Sequence, residues 1–141
     1  TDLRSTPVLS DPLVAILPDG GADLPDVATP QFMAEQPMVT EPRFANLRSM
    51  IAGWFAAERL EPHRAMQVDT LETIRSAVAA GLGAAIVPRM VVGDRPAHIR
   101  IVPISPPIER ELVMIERIDG PGHNPAVAMV RQALLGLATS G

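Results

Sequence analysis

The sequence predicts an α/β fold, for three reasons. Its 141 residues fit a single domain of ordinary size. Fifteen prolines and ten glycines divide it into short segments, and these segments alternate between strand-like and helix-like hydrophobic patterns. The clearest alternation is at residues 65–88, where strand-like runs at 65–68 and 84–87 flank a helical pattern. We expect these two strands to be parallel, with a right-handed crossover between them.

The first half of the chain contains two predicted strands and two predicted helices. Residues 13–17 form a short apolar run that ends at a Pro-Asp-Gly-Gly turn, which is typical of a strand. A threonine N-cap and a first-turn proline predict a short helix at 29–36. A brief strand at 38–40 precedes the longest helix, at 44–60. The apolar positions of that helix recur at helical spacing, at Phe44, Leu47, Ile51, Trp54 and Phe55.

The second half contains a further strand-rich segment between two helices. Asp69, with Glu72 three residues later, predicts a capping box for a helix that ends at Gly81. Residues 99–104 and 112–118 predict two more strands. A closing helix is expected after Asn124 and Pro125, with an apolar stripe at Val127, Val130, Leu134 and Leu137.

Composition excludes several classes of function. The chain has no cysteine, which rules out disulfide scaffolds, thiolate zinc sites, iron-sulfur clusters and a cysteine nucleophile. Its net charge is -4, and all twelve basic residues are scattered arginines, so it is a poor stand-alone binder of nucleic acid. The longest apolar stretch, 77–90, is interrupted by glycine, proline and arginine, so we expect no membrane span. The first residues lack the features of a signal peptide, so we expect no export signal.

Motifs for metal, cofactor or catalytic chemistry are missing from the sequence. The three histidines, His63, His98 and His123, are too far apart for a local metal pair, and we expect no metal and no cofactor. No serine lies in a G-x-S-x-G elbow, so we do not expect an enzyme. The glycines at 81 and 83 follow a helix rather than a strand, which is the wrong order for a dinucleotide-binding turn.

One group of residues predicts a ligand site. In open α/β sheets, ligands bind beyond the carboxyl ends of parallel strands, where helix N-termini present free backbone N–H groups. Three segments follow predicted strands in this way and should share one edge, which suits a small anion held by hydroxyl and guanidinium donors. The alternative is that Asp69 and Thr70 only cap a helix. The candidate residues are Thr40, Glu41, Pro42, Arg43, Phe44, Asp69, Thr70, Pro88 and Arg89.

The segment VDTLETIRSAVAAGLGAAIVPRMVV, residues 68–92, closely resembles the effector-binding domain of LysR-type transcriptional regulators. The matching motif is V-A-A-G-x-G at 78–83 followed by a short strand and V-P. The flanking segments resemble the family in the same order, over essentially the whole chain. The resemblance implies a type II periplasmic-binding-protein-like fold, mainly subdomain II plus the returning C-terminal part of subdomain I. We expect a crossover remnant of subdomain I at 1–12, subdomain II at 13–104, and the return strand and last helix of subdomain I at 105–141.

The resemblance also implies a function without chemistry. The chain would be the ligand-sensing part of a cytoplasmic bacterial regulator that binds a small metabolite, an anion or carboxylate, and forms a homodimer. DNA would be contacted only through an N-terminal domain outside this chain. The first part of subdomain I would also lie outside it. Carried onto matching positions, the family's subdomain II effector contacts fall near residues 40–44 and 69–70. The alternatives are a fragment of a type II solute-binding protein of a transport system and, third, an enzyme.

Overall fold

The computed structural model describes residues 3–20, 23–42, 45–94 and 96–117. The chain divides into two compact units, one formed by Thr1–Asp11 with Glu109–Gly141 and the other by Pro12–Ile108. The predicted closing helix, after Asn124, lies outside the described residues. The assignment of 1–12, 13–104 and 105–141 to the two subdomains stays a prediction.

The predicted α/β class is confirmed, with six strands and four helices along the described residues. The strands are β1 (Leu3–Pro18), β2 (Pro37–Thr40), β3 (His63–Gln67), β4 (Ala85–Pro88), β5 (Ile99–Pro103) and β6 (Glu109–Arg117). The helices are α1 (Pro30–Ala34), α2 (Ala45–Ala56), α3 (Leu71–Ala79) and α4 (Arg89–Val92). None of these helices is long and apolar enough to cross a membrane.

The strands of the larger unit form a mixed sheet. The second half of β1 pairs antiparallel with both β4 and β5, whereas β2 pairs parallel with β3. A parallel bridge between Met38 and Ala84 joins β2 to β4, with hydrogen bonds of 2.8 Å from Val39 N to Ala84 O and from Ala84 N to Pro37 O. Because β3 and β4 are both parallel to β2, the predicted parallel orientation of these two strands is confirmed, with β2 between them.

The sheet is buried on both faces, which explains the continuous apolar run in β1. Alternate residues of a strand point to opposite faces, so Leu13, Ala15 and Leu17 join one cluster and Val14 and Ile16 join the other. The first cluster also contains Met33, Met38, Leu47, Trp54, Phe55, Ile86 and Val102, from α1, α2 and the neighbouring strands. The second contains Val39, Ile74, Ala77, Val78, Ala85, Val87 and Val92, so α3 and α4 cover the other face.

The V-A-A-G-x-G segment is where α3 turns back into the sheet. Gly81 has φ +82°, a backbone conformation that favours glycine at the end of a helix. A Cβ at Gly83 would lie 2.6 Å from the carbonyl oxygen of Pro37, so only a residue without a side chain allows β2 and β4 to approach this closely. The motif is therefore explained by chain geometry.

Several element boundaries differ from the sequence-based predictions. The strand predicted at 13–17 begins at Leu3, because the earlier residues belong to a long strand that also pairs with β6. The helix predicted at 44–60 is α2 and ends at Ala56; Arg59 has a positive φ of 58°, which a helix does not permit. The N-cap of α1 at Thr29 is confirmed. In α3 the N-cap is Thr70 rather than Asp69, and α4 was not predicted.

Candidate functional site

The carboxyl ends of three strands meet at one edge of the sheet. Because β2, β3 and β4 are parallel to one another, the residues that follow them lie at the same edge. This edge brings together the segments 40–42, 69–70 and 88–89 that the sequence singled out. Arg43 and Phe44 lie outside the described residues.

Thr40 closes β2 against β3. Its carbonyl oxygen accepts a hydrogen bond of 2.9 Å from Val68 N. Its hydroxyl donates to the carbonyl oxygen of Met66 over 3.4 Å, at the long limit of a hydrogen bond. The hydroxyl oxygen therefore keeps acceptor capacity, and exchanging the weak bond to Met66 for a ligand oxygen would have a small cost.

Glu41 is buried directly after β2, with only 6% of the residue exposed. Pro42 follows it and is half-buried. A buried carboxylate at the edge of the sheet is costly unless its surroundings are polar or charged. The charge of Glu41 therefore belongs to the electrostatics of any ligand bound here.

Thr70 caps α3 at the same edge. Its Oγ1 accepts a hydrogen bond of 3.0 Å from Thr73 N and lies 2.8 Å from Thr73 Oγ1. The capping role that the sequence left open is thus observed, and it belongs to Thr70. Asp69 precedes the cap. Because Thr70 is exposed and a hydroxyl oxygen has two acceptor positions, capping does not exclude a ligand contact.

Arg89 is engaged with the backbone at the end of α4. Pro88 is the N-cap residue of α4, without a side-chain capping bond. The Arg89 guanidinium donates from Nη1 to the carbonyl oxygen of Gly93 over 2.8 Å. It lines a shallow surface with Asp19, Asp94 and Arg100. The backbone of Pro88 and Arg89 therefore lies at the edge, whereas the Arg89 guanidinium is hydrogen-bonded to the C-terminal end of α4.

An apolar cavity of about 40 Å³ lies next to Thr40 and Glu41. Its other lining residues belong to β2, α2, β3, α3 and β4 and to the residue just before β3. They are Met38, Val39, Leu47, Arg48, Ile51, Ala52, Pro62, Arg64, Leu71, Ile74 and Ile86. Sequence reasoning missed the two arginines of this lining. The available signal was weak, since Arg48 is adjacent to the apolar stripe of α2 and Arg64 lies in an edge strand.

The described residues contain no candidate metal site, either at this edge or elsewhere. No group of three or more histidine, aspartate or glutamate side chains that could hold a metal ion occurs in residues 3–20, 23–42, 45–94 and 96–117.

Comparison with known protein families matches residues 1–137 to the LysR substrate binding domain. The chain belongs to this family. A search of curated protein sequences found no significant match.

Solved structures agree with the fold of this LysR domain. The CcmR regulatory domain of Synechocystis, in complex with 2-PG, is 18% identical, with a TM-score of 0.75 over 97% of this chain and 67% of that chain. HinK, a LysR family transcriptional regulator from Pseudomonas aeruginosa, is 15% identical, with a TM-score of 0.79 over 99% of this chain and 49% of that one. The effector-binding domain of QuiR, in complex with shikimate, is 17% identical, with a TM-score of 0.73 over 99% and 66%.

The LysR assignment confirms the expected type II periplasmic-binding-protein-like fold. The chain spans between about half and two thirds of the length of these structures. The comparisons give no support to the transport alternative, because the matching family model is that of a regulator domain. The nine candidate residues of this LysR domain stay a prediction as ligand contacts.

Proposed function

We propose that this chain is the ligand-sensing part of a LysR-type bacterial transcriptional regulator. One observation carries the proposal: the match to the LysR substrate binding domain extends over residues 1–137 of the 141. In this role the chain binds a small metabolite, an anion or carboxylate, at the edge where β2, β3 and β4 end.

The chemistry of the edge supports binding of an oxygen-rich ligand. Thr40 and Thr70 provide hydroxyl groups there, and the first turn of α3 provides backbone N–H groups, which favour negative charge. The CcmR and QuiR domains, which share the fold, are complexes with the small molecules 2-PG and shikimate. A similar mode of recognition in this chain requires only hydrogen bonds and charge complementarity to the ligand. It requires no catalytic side chain.

Signalling in this proposal is a shift between two conformations. A ligand that binds one conformation more tightly increases its population by the difference in affinity. The change is passed to DNA-binding domains outside this chain, in a cytoplasmic homodimeric protein. The chain itself is acidic, with sixteen acidic residues and twelve basic ones, so direct attraction to DNA phosphates is unfavourable. No step of this function is a chemical reaction.

A ligand panel tests the proposal. The purified chain is screened by thermal unfolding against short carboxylates, hydroxy acids, sugar acids and inorganic phosphate, and each compound that raises the midpoint is titrated by calorimetry. We expect one chemical class to stabilise the chain in proportion to its concentration. The ligand is then recovered after prolonged incubation and its NMR spectrum recorded. An unchanged spectrum is expected; conversion to a product would identify an enzyme, and a panel without any binder would contradict the proposal.

A further inference from the structure

Asp19 and Gly20 form an exposed turn directly after β1. The backbone N–H of Gly20 donates a hydrogen bond of 3.0 Å to Oδ1 of Asp19, the residue before it. Because Oδ1 is bonded to Cγ, this contact holds the Gly20 nitrogen next to the carboxyl carbon of Asp19. A bond between that nitrogen and Cγ would close a small ring with C, Cα and Cβ of Asp19.

The surroundings of the turn leave room for this ring. Gly20 has no side chain to crowd its nitrogen, and its φ of +103° is a conformation that favours glycine. Within the described part of the chain, a Cβ placed on Gly20 would meet no atom within 4 Å beyond its two chain neighbours. The turn is exposed, so water reaches both carbonyl carbons of such a ring.

The contacts that hold the turn lie on the amino side of the bond that would rearrange. Pro18 pairs with Ile99 in the sheet, and Asp19 N donates to the carbonyl oxygen of His98 over 2.9 Å. A change in the linkage between Asp19 and Gly20 therefore leaves the pairing of β1 with β5 intact.

Two further aspartates after the same strand provide an internal comparison. Asp23 and Asp26 are exposed, as Asp19 is. They precede Leu24 and Val27, and the side chains of these residues crowd the backbone nitrogen that would have to attack. Exposure alone therefore does not distinguish Asp19, whereas access to the following nitrogen does.

We propose that Asp19 is a site of spontaneous isoaspartate formation. The Gly20 nitrogen attacks Cγ of the protonated Asp19 carboxyl group, and the N–Cγ bond forms. The amide proton and the carboxyl hydroxyl leave together as water, which gives a succinimide.

Water then opens the succinimide in one of two ways. Breaking the N–Cγ bond regenerates Asp19. Breaking the bond from the nitrogen to the backbone carbonyl carbon routes the chain through Cγ, and that carbonyl carbon becomes the free carboxylate of isoaspartate. Neither step needs an oxidant, a reductant or a cofactor, and the inference is independent of the proposed ligand-sensing function.

Peptide mapping of the aged chain tests the proposal. The folded chain and a synthetic peptide of residues 16–24 are incubated in the same warm, mildly acidic buffer for increasing times. Cleavage after arginine releases residues 5–43 as one peptide, which carries Asp19, Asp23 and Asp26. Electron-transfer fragmentation locates isoaspartate in it, and a protein isoaspartyl methyltransferase with labelled S-adenosylmethionine measures the total. The other Asp-Gly pair, at 119–120, falls in a separate peptide.

Isoaspartate should accumulate at Asp19 in the folded chain at least as fast as in the peptide, and far faster than at Asp23 or Asp26. Asp19→Glu should abolish the signal in the 5–43 peptide, because a glutamate would have to close a larger ring. Gly20→Ala should slow the reaction by crowding the nitrogen. Asp19→Asn should speed it at neutral pH, with release of ammonia in place of water. Thermal unfolding of each variant establishes that it is folded.

The comparison of folded chain and peptide decides whether the native geometry matters. Slower accumulation at Asp19 in the folded chain than in the peptide would show that the fold protects this bond, and would overturn the proposal. Equal accumulation at Asp19, Asp23 and Asp26 would also overturn it, because access to the Gly20 nitrogen would then make no difference.

Discussion

Arg110 donates a hydrogen bond from Nη2 to Oδ2 of Asp11 over 3.1 Å, and the Asp11 side chain is only 3% exposed. Both residues lie in the smaller unit, close to the two places where the chain passes between the units, after Asp11 and before Glu109. A hydrogen bond between two charged groups is stronger than a neutral one, and here its carboxylate is shielded from water.

Arg110→Gln should therefore lower the free energy of unfolding by about 1.5–3 kcal/mol, the contribution of a hydrogen bond to a charged group. Urea unfolding followed by circular dichroism measures this. Ser10→Ala is the matched control, since the Ser10 hydroxyl donates to Glu109 over 3.0 Å at an exposed position on the same pair of strands. That control should cost less than about 0.5 kcal/mol. Similar losses in both variants would show that burial of Asp11 is not what matters.

Trp54→Phe should destabilise the larger unit by about 1–3 kcal/mol. The indole Nε1 of this single tryptophan donates to the carbonyl oxygen of Pro106 over 2.8 Å, and only 6% of the residue is exposed. Phenylalanine keeps most of the apolar contact, including the edge-to-face contact with Phe55 at 5.0 Å between ring centroids, but leaves the carbonyl without its donor. Thermal unfolding measures the loss, and an unchanged midpoint would mean that water replaces the indole.

Three glycine-to-alanine variants should give three different results. Gly83→Ala places a methyl group against the Pro37 carbonyl and should cost about 2 kcal/mol. Gly81→Ala strains a backbone with positive φ and should cost about 1 kcal/mol. Gly53→Ala lies within α2 with open space around it and should stabilise by up to about 1 kcal/mol. Chemical denaturation of all three tests the order; a Gly83→Ala variant as stable as the parent chain would contradict it.

Thr70 variants should separate capping from ligand contact. Thr70→Val removes the hydroxyl that accepts from Thr73 N and should cost about 1 kcal/mol of unfolding free energy. Thr70→Ser keeps that hydroxyl and should restore most of the stability. If Thr70 also contacts the ligand, Thr70→Val weakens binding by about 0.5–1.5 kcal/mol in calorimetry. Thr40→Val should weaken binding similarly. Unchanged affinity in both variants would leave only their structural roles.

Self-association is the fifth prediction. The α2 helix presents exposed small residues, among them Ala52 and Ala56, to a surface that a second copy could cover. Sedimentation equilibrium at micromolar concentration should give twice the 15.0 kDa chain mass. Ala56→Lys should shift the equilibrium to monomer, whereas Ser76→Lys on the exposed side of α3 should not. A 15 kDa species for the parent chain would exclude the dimer.

Local signals predicted the parts of this fold that depend on near neighbours in sequence. Thr29 and Pro30 predicted the start of α1, and the short apolar run at 13–17 predicted the second half of β1. The first half of β1 was missed because prolines at 7 and 12 are typical of turns, and its pairing with β6 joins residues about a hundred positions apart. Asp is the more favourable capping residue of the two, so local preference pointed to Asp69, and only the backbone geometry identifies Thr70 as the N-cap of α3.

The candidate site also has a part that the sequence predicted and a part that depends on the three-dimensional structure. Strand polarity alone predicted that Thr40, Thr70 and Pro88 follow strands ending at one edge, because parallel strands share their ends. The position of the Arg89 guanidinium depends on a hydrogen bond within α4, a helix that the sequence did not predict. Arg48 and Arg64 line the same cavity although they belong to different elements, α2 and β3, and no local pattern in the sequence relates the two residues.

The missing side chain at Gly83 bears on how this family is recognised and how its ligands are inferred. The glycine is required because the backbones of β2 and the segment before β4 approach closely there. The V-A-A-G-x-G motif by which the family is recognised therefore reflects how the sheet is assembled. Domains that respond to unrelated metabolites can share those letters without sharing any chemistry. We therefore expect ligand specificity in such a domain to depend on other positions, and a comparison across regulators of the residues at the edge where β2, β3 and β4 end would test this.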